Sequence, residues 1–142
     1  MIHVRSPFGQ LLGMRVVQWD SGIARLELPL RPELRNLNGA VHGGVLAAMI
    51  DFAGSMSGVC PPTPGAWPDN VVSLSMSVNF IRPATGDLLH VCGRSTGGGR
   101  SIFMASIEVH DASQNLAATG QGAFKILGTP NPGGTGTPAG KV

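Results

Sequence analysis

Gly43-Gly44-Val45-Leu46-Ala47-Ala48-Met49-Ile50-Asp51-Phe52-Ala53-Gly54-Ser55-Met56-Ser57 is the stretch on which the fold turns. It is long for a strand and rich in Ala, Leu and Met, which favours helix. It is also apolar nearly all the way round, and a helix without a polar face must be buried against something on most sides. Pro61-Pro62-Thr63-Pro64-Gly65 then prevents its continuation. The chain is therefore built around one buried helix.

On either side the hydrophobic period is two. Ala24, Leu26, Leu28 and Leu30 alternate with Ile23, Arg25 and Glu27, the pattern of a half-buried strand. Val72, Leu74, Met76, Val78 and Phe80 alternate with Ser73, Ser75, Ser77 and Asn79, which puts the serines together on the other face. Further strands are expected over 88–95, 101–110 and 116–127, with a turn at Asp111-Ala112-Ser113-Gln114-Asn115. Short connections favour antiparallel hairpins and a meander. The expected class is α+β, with an antiparallel sheet wrapped around one long central helix.

Composition narrows the function. The chain has 142 residues and 14.6 kDa, enough for one domain. With 42% hydrophobic residues it is not disordered, and its 13% charged residues are about half the usual share. A formal charge of +2 without a basic run argues against nucleic-acid binding. So little charge on a small domain suggests that a partner covers part of the surface, most commonly another copy. Cys60 and Cys92 make neither a disulfide framework nor a zinc site and are expected as reduced thiols. The longest apolar run, 45–50, is far short of a membrane span, and 1–7 does not resemble a signal peptide. A cytoplasmic protein is expected. Residues 129–142 hold three prolines, four glycines and three threonines, read as a flexible tail after a folded domain of 1–128.

Between Gly39 and Pro68 the only charged residue is Asp51, near the middle of the helix. A lone carboxylate there costs several kcal/mol (about) unless paired. One reading is a structural Asp that caps a neighbouring element or pairs with a distant Arg. The other is a general base or nucleophile in an apolar pocket. Just before the helix stand Asn36, His42, Gly43 and Gly44. Glycines at a helix start admit a ligand close to the backbone, and the first-turn N–H groups lie at the positive end of the dipole. Such a place can hold a developing oxyanion, or use glycine for packing only.

Asn36-Leu37-Asn38-Gly39-Ala40-Val41-His42-Gly43-Gly44 followed by Asp51 resembles the signature of the hotdog-fold acyl-CoA thioesterases, in particular the phenylacetate-pathway branch. The resemblance runs over about 7–127, with further matches at 8–13, at Asn79-Phe80-Ile81-Arg82-Pro83-Ala84 and at Gly120-Gln121-Gly122. It implies hydrolysis of acyl-CoA, aryl-acyl or medium-chain, without metal or organic cofactor. It gives Gly43 N–H the oxyanion hole and Asp51 the activation of water or direct attack. Asn36 would position water or thioester, His42 would orient the region, and Ser73 would hydrogen-bond near the catalytic acid. It also implies paired protomers that share two sites and assemble to a homotetramer.

One geometric point is independent of family. Gly43 and Asp51 are eight residues apart, about 12 Å along a helix axis. A base acts within about 3 Å of its proton, so one thioester is served by both only if two antiparallel helices from two subunits meet.

Gly97-Gly98-Gly99-Arg100-Ser101 reads as a permissive hairpin turn and lacks the P-loop spacing. The resemblance places the CoA nucleotide grip there, with Arg100 on phosphate. His3, His90 and His110 lack metal-ligand spacing, and Ser55 and Ser57 lack a nucleophile elbow. Trp67 either lines an acyl tunnel or covers the helix end. A hydratase or dehydratase acting on acyl thioesters, or a non-catalytic acyl-CoA sensor, stands as the alternative.

Overall fold

The computed structural model describes residues 2–61, 63 and 70–128. Trp67, most of the proline-rich break after the helix and the 129–142 tail lie outside them. In chain order the elements are β1 (Ile2–His3), α1 (Pro7–Leu12), β2 (Arg15–Asp20), β3 (Ile23–Pro29), α2 (Gly43–Ser57), β4 (Asn70–Phe80), β5 (Leu88–Gly98), β6 (Ile102–His110) and β7 (Leu116–Gly128), with a 3₁₀ turn at Pro32–Leu34. The strands form one antiparallel sheet in the order β1-β2-β3-β5-β6-β7-β4.

The expected helix occupies Gly43–Ser57, and the sheet packs along it. Val45, Leu46, Met49, Ile50 and Ala53 are buried against Leu26, Leu89, Ile107 and Phe124 in one core. Glycine sets the close approach. A Cβ on Gly93 would stand 2.2 Å from the Ala53 carbonyl oxygen, and one on Gly120 would stand 2.5 Å from Ile50 Cγ2. Trp19 on β2 closes the far end of α2, its Nε1–H donating to the Met56 and Val59 carbonyls at 2.9 and 3.0 Å. These take up carbonyls that a helix end leaves without intrahelical donors.

Three expectations need correction. The meander holds for β5, β6 and β7 only: β3 pairs with β5, and β4 lies on the outer edge beside β7. The long segment containing α2 crosses the sheet face, so the strand after it lands on the far edge. Second, α2 is not buried on most sides. Ala47, Ala48, Asp51, Phe52 and Ser55, away from the best-buried stripe, are only half-buried within one chain.

The third correction concerns β4. Its alternation does not run through the whole strand, because the pairing with β7 shifts between Ser73 and Ser75. A β-bulge there places an extra residue, Leu74, and resets which side chains point inward. Before the bulge Val71 packs on the core and Ser73 faces α2; after it Val78 packs on the core and Phe80 reaches Gly43. Ser73 therefore does not share a face with Ser75 and Ser77.

Asp111, at the predicted turn, is 1% exposed and ties that turn to the 82–87 connection. Its Oδ1 accepts from the N–H groups of Ser113 and Asn115, both at 3.0 Å, and its Oδ2 from the Thr85 hydroxyl at 2.8 Å. Burial pushes its carboxyl up, but the donors from Asn115 and Thr85 outweigh that and hold it lowered to about 2, against 3.8 ordinarily. A carboxyl lowered in the folded state stabilises the fold fully above the unfolded value and ceases to do so as pH falls through the folded one. Melting temperature is thus expected to drop between pH 3.8 and about 2 more steeply in the wild type than in Asp111→Asn, which should melt lower at neutral pH. Parallel acid profiles in thermal melts would refute this role.

Candidate active site

The N-terminal half of the site is a tight loop feeding α2. Arg35 and Val41 bridge across it, and Asn36 N–H donates to the Ala40 carbonyl at 2.7 Å. The Asn36 side chain is turned into this loop, its Oδ1 accepting from the N–H groups of Asn38 at 2.9 Å and Ala40 at 3.1 Å. That leaves the side-chain NH₂ as the group able to meet a ligand. Asn36 is thus first a builder of the loop, a role that its place in the motif did not reveal.

His42 is the N-cap of α2. Its Nδ1 accepts from Gly44 N–H at 2.9 Å, so Nε2 is the ring's donor. This cap satisfies the Gly44 N–H and leaves the Gly43 N–H, the first of the helix, without an acceptor among the described residues. A Cβ on Gly43 would sit 3.3 Å from two atoms of the Phe80 ring. The glycine and the half-exposed ring thus fit each other beside an N–H at the positive helix end. Phe80 had no assigned role in the sequence reading. Only the bulge in β4 decides where it points, and a bulge has no signal in the alternation.

The second half is Asp51. The Ser73 hydroxyl donates to Asp51 Oδ1, which settles the direction of that serine. Asp51 Oδ2 has no partner among the described residues, and the residue is half-buried. No Arg reaches it, so the structural alternative of a distant ion pair is not what this chain builds. The carboxylate is oriented through one oxygen and available through the other.

The fold brings these candidates into two groups and keeps the groups apart. Asn36, His42, Gly43 and Phe80 gather at the start of α2. Asp51 and Ser73 meet more than two turns along it, about 12 Å away by helix rise. Gly97-Gly98-Gly99-Arg100-Ser101 lies at the β5–β6 hairpin, where Gly98 pairs with Phe103 and Phe103 packs at Gly58 beyond the C-terminal end of α2. Arg100 is exposed, and no acceptor holds it among the described residues. The hairpin is therefore at the opposite end of the helix from Gly43. Among the described residues no three His, Cys, Asp or Glu side chains converge as metal ligands. No helix there is long and apolar enough to cross a membrane.

Comparison with known proteins gives a consistent result. A family model described as the thioesterase superfamily matches residues 38–118. A protein of Halobacterium salinarum whose name proposes an esterase is 31% identical over 124 residues, 82% of each chain. Among solved structures, a conserved protein of Pseudomonas aeruginosa is 29% identical with a TM-score of 0.73, covering 86% of this chain and 94% of its own. A Mycobacterium tuberculosis protein, also named as a proposed esterase, is 27% identical with a TM-score of 0.75 over 89% of this chain and all of its own. The PaaI protein of the E. coli phenylacetic acid degradation operon shares the fold at 21% identity and a TM-score of 0.75, over 88% of this chain and 87% of its own.

Proposed function

The chain belongs to the thioesterase superfamily, and from that premise we propose that it hydrolyses acyl-CoA, with an aryl or medium-chain acyl group, to the free acid and CoA. The observation that carries this reading is one helix that presents an N–H without an acceptor at Gly43 and a carboxylate with one oxygen unpaired at Asp51. The first suits the oxygen of a thioester carbonyl as it takes up charge, in the manner of an oxyanion hole. The second suits a water, from which Asp51 takes a proton, or the carbonyl carbon, which Asp51 attacks itself. Ser73 fixes the carboxylate. The His42 ring, through its Nε2 donor, and the Asn36 amide flank the oxyanion end.

Since the two groups lie at opposite ends of α2, we assign the working site to two subunits, Gly43 of one acting with Asp51 of the other. Two features support a homodimer of this kind. β4 is an open sheet edge, and Val72, Leu74, Met76 and Phe80 on it are 38–60% exposed. Edge strands are templates for pairing with another chain. The half-buried side of α2 is likewise uncovered. Two such dimers would make the homotetramer.

Purified protein incubated with aryl and aliphatic acyl-CoAs and a thiol reagent should release thiol, with the acyl preference read from relative kcat/KM. New water adducts without thiol release would instead mean hydration, and binding without turnover a sensor; either overturns the proposal. Arg100, with Gly97, Gly98, Gly99 and Ser101, is assigned to the CoA phosphates. Arg100→Ala should raise KM for CoA thioesters more than it lowers kcat, because the contact is remote from the bond cleaved. An unchanged KM would place the nucleotide grip elsewhere.

A further inference from the structure

The sheet face turned away from α2 carries a groove of about 350 Å³ over β3, β5 and β6. Strand pairing arranges its lining in rows. Arg25, Cys92 and Glu108 form one row, and Glu27, His90 and His110 the next. Their neighbours along each strand, such as Leu26, Val91 and Val109, are buried under the helix, so these side chains point outward.

The charges are antisymmetric about β5. On one flank β3 carries Arg25 and then Glu27; on the other, β6 carries Glu108 and then His110 in the same rows. A half-turn about an axis lying in the face along β5 exchanges the two flanks. Two copies packed by that operation set Arg25 against Glu108 of the partner subunit, and Glu27 against His110 of the partner subunit, each twice. Aligned sheets pack about 10 Å apart and within about 30°, a gap that Arg and Glu side chains can span from both sides. Within its own chain Arg25 has no carboxylate partner among the described residues, and Glu108 has only the His110 Nε2 at 4.0 Å. Arg94, on β5, meets its own copy near the axis; four complementary contacts stand against that one repulsion. Apolar side chains complete the surface: Val17 at 57%, Ile102 at 39% and Met104 at 47% exposed.

We propose that this outer sheet face binds a second copy of the same chain through a two-fold contact centred on β5. The occupant follows from the charge pattern, which is its own complement under a symmetry that only an identical face supplies. The contact is separate from the β4 edge and from the α2 side of the sheet. It would join two β4-paired dimers, and it stands whether or not the chain cleaves thioesters.

The test is sedimentation equilibrium at neutral pH on the full chain. Arg25→Glu and Glu108→Arg each place two like-charged pairs in the contact and should raise its dissociation constant at least about tenfold, halving the assembly mass at suitable concentration. The double variant restores opposite charges with exchanged sign and should recover the parental mass. Arg25→Gln and Glu108→Gln, which introduce no repulsion, should weaken the contact less and serve if a reversal disturbs folding. Unchanged mass in the four single variants, or a double variant no better than its parents, overturns the proposal. Thiol release measured on the same wild-type sample reports separately on the thioesterase reading.

Discussion

Asp51→Asn is expected to lower thioester hydrolysis by about 10²–10⁴-fold, the usual contribution of a positioned acid or base, while the protein still folds and assembles. Asn has nearly the shape of Asp and a similar helix propensity, so α2 should keep its packing on Leu26, Ile107 and Phe124. The amide oxygen can still accept from Ser73, the donor that orients Asp51 Oδ1. What the variant loses is the second oxygen, replaced by an NH₂ that can neither take a proton from water nor attack a carbonyl. Turnover and structure are thereby separated. Circular dichroism and sizing should match wild type while kcat collapses. Ser73→Ala should fall between the two, since it frees the carboxylate to turn without removing it. A folded Asp51→Asn enzyme with wild-type turnover would remove Asp51 from the chemistry.

The fold was legible wherever a pattern is long and local. The helix was readable because fifteen residues at Gly43–Ser57 share one character and proline follows, and the β5, β6 and β7 hairpins because alternation and turns agree. The two-turn separation of Gly43 and Asp51 needed only helix rise. Long-range choices were not legible. Nothing in 70–80 says that the strand passes β3 and β5 to reach β7, because pairing partners are selected by packing across the sheet. Nor does unbroken apolar-polar alternation disclose a bulge. One inserted residue, Leu74, turns Ser73 from an apparent solvent face to Asp51. The charge antisymmetry of Arg25, Glu27, Glu108 and His110 is equally invisible until register aligns residues more than eighty positions apart. The motif residues carried function through resemblance, yet the hydrogen bonds assign Asn36 largely to its own loop, a division of labour that spacing alone does not contain.

Mixing two inactive variants should restore activity if the site is shared between subunits. Gly43→Pro is the partner for Asp51→Asn because proline deletes the N–H assigned to the oxyanion while suiting the first position of a helix. His42, which would precede it, already has the extended backbone (φ −63°, ψ 133°) that a following proline requires. The added Cβ would meet the Phe80 ring at 3.3 Å, so the ring must give by a few tenths of an ångström. Each homodimer carries one lesion in both of its sites and should be inactive. In a hybrid dimer with Gly43 of one subunit facing Asp51 of the other, one site combines both lesions and the other is intact. Co-refolded hybrids should therefore regain about half of the wild-type activity per dimer if the sites act independently. Separable tags on the two variants would isolate the hybrid, and sizing would show that each parent assembles. Verified hybrids as inactive as their parents would mean that Gly43 and Asp51 serve the same chain's site. The 12 Å between them (about, by helix rise) would then have to be bridged by the substrate itself.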